Sequence, residues 1–445
     1  MKHILIIGAG RSSTSLITYL LESCRQFGWS LTLGDLSQEL AASKVGNTPN
    51  AEAIRFDIHD EWQREREISR ADLVISMLPA MFHFVVAESC IKHQVPLLTA
   101  SYVSDEIQKL HEAAVNAGVM ILMECGLDPG IDHMSAMKVL DSIRESGATL
   151  RGFETFTGGL LAPESTGSNP WEYKFTWNPR NVVLAGQGTV KFIQEGKYKF
   201  IPYHKLFRRT EVINIPGYGY FEGYANRDSL KYLDVYKLRD IKTLYRGTLR
   251  RVGFCRAWDI FIQLGATEDS YRMEGVATMT HRQFINSFLS YDPDNTVELK
   301  LAHYLKLDLD GPEMYKLHWL GMFEEEPIGL NAGTPAEILE HILKKKWTLN
   351  ESDKDMIVMW HKFDFLQDGK LRQIQSHMVV TGENDRETGM AKTVGLPLGI
   401  AAELMLQKKI YLPGVQIPVH KEIYLPILEK LTESGVTFQE REIHD

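Results

Sequence analysis

The stretch of this chain best equipped for chemistry is Cys125-Gly126-Leu127-Asp128-Pro129-Gly130-Ile131-Asp132-His133, which follows the apolar run Val119 to Met123. A buried strand that ends in Gly, Pro and Gly must turn sharply, and a carboxylate at such a strand end sits where open parallel sheets bind their ligands. Asp128 is therefore expected to face a cleft between a cofactor domain and a substrate domain. A second group of residues lies at the start of the chain, where Gly8-Ala9-Gly10-Arg11-Ser12-Ser13 follows the strand-like His3 to Ile7. It precedes Leu16, Ile17, Leu20, Leu21, Cys24 and Phe27 at helical spacing. Strand, glycine turn and helix make a dinucleotide fingerprint: the first glycine forms the turn and the second lets a pyrophosphate approach backbone N–H groups. Ser13 stands where a third glycine is usual. The next strand, Leu31 to Gly34, ends in Asp35, whose carboxylate can accept from both ribose hydroxyls of NAD and would repel the 2'-phosphate of NADP. Leu36, Ser37 and Gln38 bring no cation, and Lys44 falls on the following helix, so the expected cofactor is NAD rather than NADP.

These residues need a scaffold, and the same region supplies one. Ala53 to Phe56 ends in Asp57, Asp72 to Met77 ends in Leu78-Pro79, and Val95 to Thr99 ends in Ala100-Ser101-Tyr102. Helix-length segments separate these runs, which is the alternation of a doubly wound parallel sheet, and the notable polar residues fall at strand C-terminal ends. Asp57 and Ser76 suit turn and capping chemistry as well as cofactor contact.

After His133 a helical run leads to the alternating stretch Leu150 to Phe156 and then Thr157-Gly158-Gly159-Leu160. Ala162 to Trp177 is irregular and rich in Pro, Gly and Trp, which suits a binding loop. A polar, basic and aromatic section follows. Arg256 to Lys346 is mostly helical, Met356 to Phe365 and Gln373 to Thr381 are strand-like, and Met390 to Met405 reads as an apolar helix broken near Gly395 and Pro397, with a further helix over Leu425 to Leu431.

Composition narrows the class. A length of 445 residues calls for two or three domains, and 44% hydrophobic with 24% charged residues is ordinary for a soluble globular protein. A formal charge of -9 argues against nucleic acid or an anionic membrane as the main partner. Four scattered cysteines without a CxxC pair, no bilayer-length apolar stretch and no signal-peptide pattern lead to the expectation of a cytoplasmic enzyme. His59, His83, His133 and His420 show no metal-ligand spacing, so no metal is expected.

The chain resembles the saccharopine dehydrogenases of the glutamate-forming kind, also called saccharopine reductases. The resemblance rests on Leu73 to Ser76, Ala100 to Tyr102, Gly126 to His133, Gly158-Gly159-Leu160 with Ala162-Pro163-Glu164, Tyr173-Lys174-Phe175, Asn226 to Ser229, Arg246 to Arg250 and Met390 to Pro397, in order along the chain. It implies an α/β protein: a Rossmann doubly wound parallel sheet (1–130 with about 390–445), a mixed α/β substrate and dimerisation domain (131–255 with about 350–389) and a small inserted helical domain (about 256–349). It implies oxidation of saccharopine to glutamate and 2-aminoadipate semialdehyde, or the reverse condensation, by a homodimer in lysine metabolism. The implied substrate set is Ser101, Tyr102, Asp128, Lys174, Asn226, Arg227, Asp228 and Arg246, with Arg250 a nearby candidate. A substrate with three carboxylates and two amines needs forked cations and acceptors of this kind. The cofactor set is Gly8, Gly10, Arg11, Ser12, Ser13, Asp35, Asp57, Ile58, Met77, Leu78, Ala100, Ser101, Leu127, Asp128, Pro129 and Trp177.

Proton transfer at the amine and at water calls for tunable groups, and the resemblance gives these roles to Tyr102 and Asp128. Many relatives carry Cys where this chain has Thr157; a hydroxyl is a poor general base, so Thr157 is expected to orient its neighbours. Two other readings compete. A carboxynorspermidine or homospermidine type dehydrogenase would bring fewer carboxylates to the basic residues, and a non-catalytic dinucleotide sensor would not need both Tyr102 and Asp128.

Overall fold

The apolar runs at the start of the chain become β1 (His3–Ile7), β2 (Ser30–Asp35), β3 (Ala51–Arg55), β4 (Leu73–Ser76), β5 (Leu97–Leu98) and β6 (Met120–Leu122). They pair in parallel in the order β6-β5-β4-β1-β2-β3, and a late strand, Gly414–Gln416, adds in parallel beside β6. This is the expected doubly wound sheet. Its order reverses between β1 and β4, the place where such sheets open a crevice at their carboxyl ends. The computed structural model describes residues 1–443 and divides into two compact units, Met1–Thr149 with Met378–Gln439, and Leu150–His377 with the segment from Glu440.

The helix after the glycine turn, α1 (Thr14–Phe27), buries Leu16, Ile17, Leu20, Leu21 and Cys24 and stops at Gly28, which takes the left-handed conformation at φ 68°. The following helix is α2 (Gln38–Val45), capped by the Ser37 hydroxyl on Leu40 N–H. The late helix Gly389–Leu406 is continuous, not broken as its Gly and Pro suggest. Pro397 forfeits one helical donor. Packing against α1 offsets that loss: a Cβ on Gly395 would lie 2.6 Å from Leu16 N, and one on Gly399 would lie 2.8 Å from the Tyr19 ring. The Tyr19 hydroxyl donates to Glu403 at 2.5 Å and Lys430 pairs with the same carboxylate at 2.7 Å, so one carboxylate joins the late helix to α1 and to the helix Lys421–Glu433.

In the second unit the strands are β7 (Thr149–Leu161), β8 (Val190–Gln194), β9 (Lys197–Ile201), β10 (Thr210–Ile215), β11 (Gly219–Ala225), β12 (Thr243–Arg251), β13 (Asp355–Gln367) and β14 (Lys370–Thr381). The sheet order is β10-β11-β12-β7-β13-β14 with Gln439–Ile443 last, and β8 pairs with both β12 and β9. β12 is antiparallel to β11 and parallel to β7, so the sheet is mixed. Helices Phe254–Leu264, Val297–Leu305, Pro312–Trp319 and Pro335–Trp347 fill the stretch between β12 and β13 and belong to this unit. Their anchor is an aromatic core in which Trp347 meets Trp171, Tyr173, Phe175 and Trp258 at centroid distances of 5.3, 5.0, 5.3 and 5.9 Å.

Candidate functional site

The glycine turn is built for a close visitor. Gly8 holds φ 106°, which an L side chain rarely adopts, and donates its N–H to Gly34 O at 2.8 Å. A methyl group on Gly10 would meet nothing within 4 Å, so the space beside the turn is open. Ser13 is buried, and its hydroxyl donates to Gly10 O at 2.8 Å, closing the turn on itself. Asp35 does not present a bare carboxylate: Oδ2 accepts from Ala9 N–H at 2.7 Å and Oδ1 from Ser37 N–H at 2.9 Å. Lys44 reaches back from α2, donating to Gly10 O at 2.6 Å and to the hydroxyls of Ser13 and Thr14 at 3.1 Å each. Burial pushes its ammonium down to about 8, against the pull of Asp35. The sequence puts Lys44 on the helix after the turn and carries no local signal of its return to Gly10.

At the neighbouring strand ends, Asp57 Oδ1 caps His59 N–H at 3.0 Å, Ile58 is buried, and Met77 and Leu78 are half-buried, with Met77 N–H bonded to Ile7 O. His83 links three hydroxyls: Nδ1 lies 3.0 Å from Ser76 Oγ, and Nε2 lies 2.7 Å from Ser101 Oγ and 3.3 Å from Thr99 Oγ1. Ala100 packs under Gly126, where an added Cβ would come within 2.8 Å of its own. The Tyr102 hydroxyl donates to Asp128 Oδ1 at 3.2 Å, so the phenol and the carboxylate named from the sequence do meet. Asp128 and Pro129 share a cis peptide bond in the turn after β6, beside the buried Leu127.

The second unit holds the basic residues. β12 carries Arg246, Thr248 and Arg250 on one face, since alternate residues of a strand point the same way. Thr157 pairs in register with Thr248 from β7, and Tyr224 from β11, which puts both on that face. Arg250 is 5% exposed, 4.9 Å from the Tyr173 ring centroid, 5.3 Å from Phe254 and 6.0 Å from Tyr224. Its Nη1 bonds Leu249 O at 2.9 Å, and its Nε has no partner. Among the described residues it makes no ion pair. The Thr157, Tyr173 and Thr176 hydroxyls are likewise buried without partners, and burial pushes the Tyr173 phenol up to about 12, so it stands as an O–H donor. An arginine in an aromatic box and three unpartnered hydroxyls in the same unit are groups whose hydrogen-bonding capacity is unused within the protein.

The other expected residues have structural partners of their own. Lys174 is buried against Asp353 at 2.6 Å, and Asp353 also takes Asn350 N–H at 2.6 Å. Asp228 caps Leu230 N–H at 3.0 Å and lies 3.5 Å from Lys191. Asn226 donates its N–H to Arg246 O at 2.9 Å, and the Arg246 guanidinium sits 4.1 Å from the Tyr232 ring centroid. Arg227 is exposed at φ 53°, and Trp177 is half-buried just before the helix Pro179–Val183.

Comparison with known proteins places this arrangement. The profile of the saccharopine dehydrogenase NADP binding domain matches residues 4–122, and that of the saccharopine dehydrogenase C-terminal domain matches residues 126–436. The chain belongs to the saccharopine dehydrogenase family. Saccharopine dehydrogenase [NADP(+), L-glutamate-forming] of Schizosaccharomyces pombe is 31% identical over 100% of both chains. Mitochondrial alpha-aminoadipic semialdehyde synthase of Mus musculus is 33% identical over 98% of this chain, which spans 47% of that protein. The solved apo saccharopine dehydrogenase (L-Glu forming) of Saccharomyces cerevisiae superposes with a TM-score of 0.90 at 28% identity over 100% of both chains. Membership brings the enzyme class, NAD(P)-dependent oxidation of a CH–NH donor.

The expectation of NAD over NADP is overturned. The matching domain of the saccharopine dehydrogenase family is an NADP binding domain, and the fission yeast relative is named for NADP(+). The physical reason is visible at Asp35. Both of its oxygens accept main-chain N–H groups, and Lys44 brings to the turn a cation that interacts with Asp35, so this is not the bare, uncompensated carboxylate from which NAD was inferred. The open space beside Gly10 and the first turn of α1 fit a pyrophosphate.

Proposed function

We propose that this chain oxidises saccharopine with NADP, releasing L-glutamate and 2-aminoadipate 6-semialdehyde, or runs the reverse condensation, in lysine metabolism. The observation that carries the reading is Arg250. A buried arginine without a counter-charge costs several kcal/mol of effective desolvation, and a substrate carboxylate removes that cost on binding. Tyr173 and Thr157 supply neutral donors for the same anion. The reaction needs a proton removed from the secondary amine, a hydride removed from the adjacent carbon, and water added to the resulting C=N bond. NADP, when bound, accepts the hydride. Tyr102 and Asp128, one hydrogen bond apart, hold the proton taken from the amine and return it as the C–N bond breaks. The orienting role expected of Thr157 has no hydrogen bond behind it, since its hydroxyl is unpartnered in the ligand-free protein. A homodimer and a cytoplasmic location complete the proposal; the four free cysteines, all buried, suit a reducing compartment.

The test is Arg250→Met. Losing a charge-assisted contact to a carboxylate should raise the saccharopine KM about tenfold or more and leave the NADP dissociation constant alone. Replacing a buried, unpaired charge with an apolar side chain of similar volume should leave the ligand-free protein as stable as before or more so. An unchanged KM would remove Arg250 from the substrate site, and a large loss of stability would make it a structural residue.

A further inference from the structure

Two residues past the end of β6, Glu124 sits at φ 54° with its side chain buried. Glycine or asparagine would take that conformation with less strain. What the glutamate adds is a pair of acceptors in a dry place. Oε1 accepts Val103 N–H at 3.0 Å, and Oε2 lies 2.8 Å from His133 Nε2. Its own N–H donates to Ser101 O at 3.0 Å. Both side-chain contacts flank the proposed proton-handling pair. Val103 directly follows Tyr102, and His133 stands in the first turn of the helix Ile131–Glu145, which grows out of the turn that holds Asp128.

That turn is one rigid piece. Gly126 N–H donates to Pro129 O at 2.9 Å, Ile131 N–H to Gly126 O at 2.8 Å, and Asp132 N–H to Leu127 O at 3.1 Å. Asp132 Oδ1 takes Gly130 N–H at 2.6 Å, and a Cβ on Gly130 would fall 2.1 Å from Gly126 O. Fixing His133 therefore fixes Asp128. We propose that Glu124 is a positioning residue for the reaction: by binding Val103 on one side and His133 on the other, it ties the strand end that carries Tyr102 to the turn that carries Asp128 and sets the hydrogen bond between them. This rests on the proposed reaction, in which that pair moves the proton.

A double-mutant cycle in the whole chain, assayed with saccharopine and NADP, separates positioning from bulk structure. Glu124→Gly relieves the backbone and deletes both contacts, so the fold should persist while kcat falls about tenfold or more and nucleotide affinity holds. Glu124→Asn, which also suits this φ but reaches neither partner, should match it and serves if the glycine variant folds poorly. Glu124→Gln should recover most of the rate, because its amide oxygen can accept Val103 N–H and its amide nitrogen can serve the other tautomer of the ring. In a Tyr102→Phe background the glycine substitution should cost less than about twofold more. Full multiplication of the two losses, a Gln variant no better than Gly, or a loss confined to nucleotide binding would overturn the inference. A Tyr102→Phe enzyme that turns over like the parent would overturn the reading beneath it as well, and that outcome is read from the single variant alone.

Discussion

Burial lowers the imidazole of His83 from its ordinary value near 6.5 to about 4. It serves Ser76, Thr99 and Ser101 as a neutral ring, and that neutrality has a consequence for stability. Between pH 6.5 and 4 the unfolded chain binds a proton that the folded chain refuses. The contribution is therefore whole above the unfolded value and is lost as pH falls toward the folded one, to the extent of about 3 kcal/mol. Urea midpoints at pH 7 and pH 4.5 should fall further for the parent than for His83→Gln, and an equal fall would mean that His83 is charged in the folded protein. The same scale shows what residue types alone reveal of a site. Tyr102 and Asp128 were singled out at two strand ends, and their side chains do meet, at 3.2 Å. Asp35 was legible as a strand-end acid but not as one already bonded on both oxygens, since its partners Ala9 and Ser37 act through main-chain N–H groups that carry no side-chain signal. Glu124 and Lys44 escaped because the groups they meet are set by tertiary return.

At the scale of elements, two glycines with similar letters in the sequence have opposite duties. Gly395 lets the helix Gly389–Leu406 lie against α1, and Gly395→Ala would drive a Cβ to 2.6 Å from Leu16 N. It should destabilise the fold by about 1–3 kcal/mol, seen as a lowered melting temperature. Gly10 faces open space at an ordinary φ of -64°, so Gly10→Ala should cost the ligand-free fold less than about 1 kcal/mol while weakening NADP binding measurably by calorimetry. If the two variants behaved alike, the turn would not be the nucleotide cradle. The parallel strands of the first unit were readable as buried apolar runs. The strands β8 to β12 were not, because β12 puts arginines at 246 and 250 where a buried strand would ordinarily show apolar residues. Local rules are expected to fail where function is held, and the proposed substrate contact at Arg250 falls at this break in period. The helix Gly389–Leu406 misled in the opposite sense: Gly and Pro signal an end, and close packing on α1 overrides them.

For the whole molecule, the doubly wound sheet, the family and the reaction class followed from motifs spread along the chain, whereas the bonds that Asp35 and Lys44 make at the glycine turn are recorded in no motif. A polyamine-forming dehydrogenase and a silent nucleotide sensor differ from the proposed enzyme in what leaves the active site. The most direct measurement is product identity: purified protein, saccharopine and NADP, with reduced nucleotide followed by absorbance and the amino acid identified by mass spectrometry. NADPH and L-glutamate are expected in equal amounts, with 2-aminoadipate semialdehyde as the co-product. Lysine with 2-oxoglutarate, or no reduction of the nucleotide at all, would contradict it.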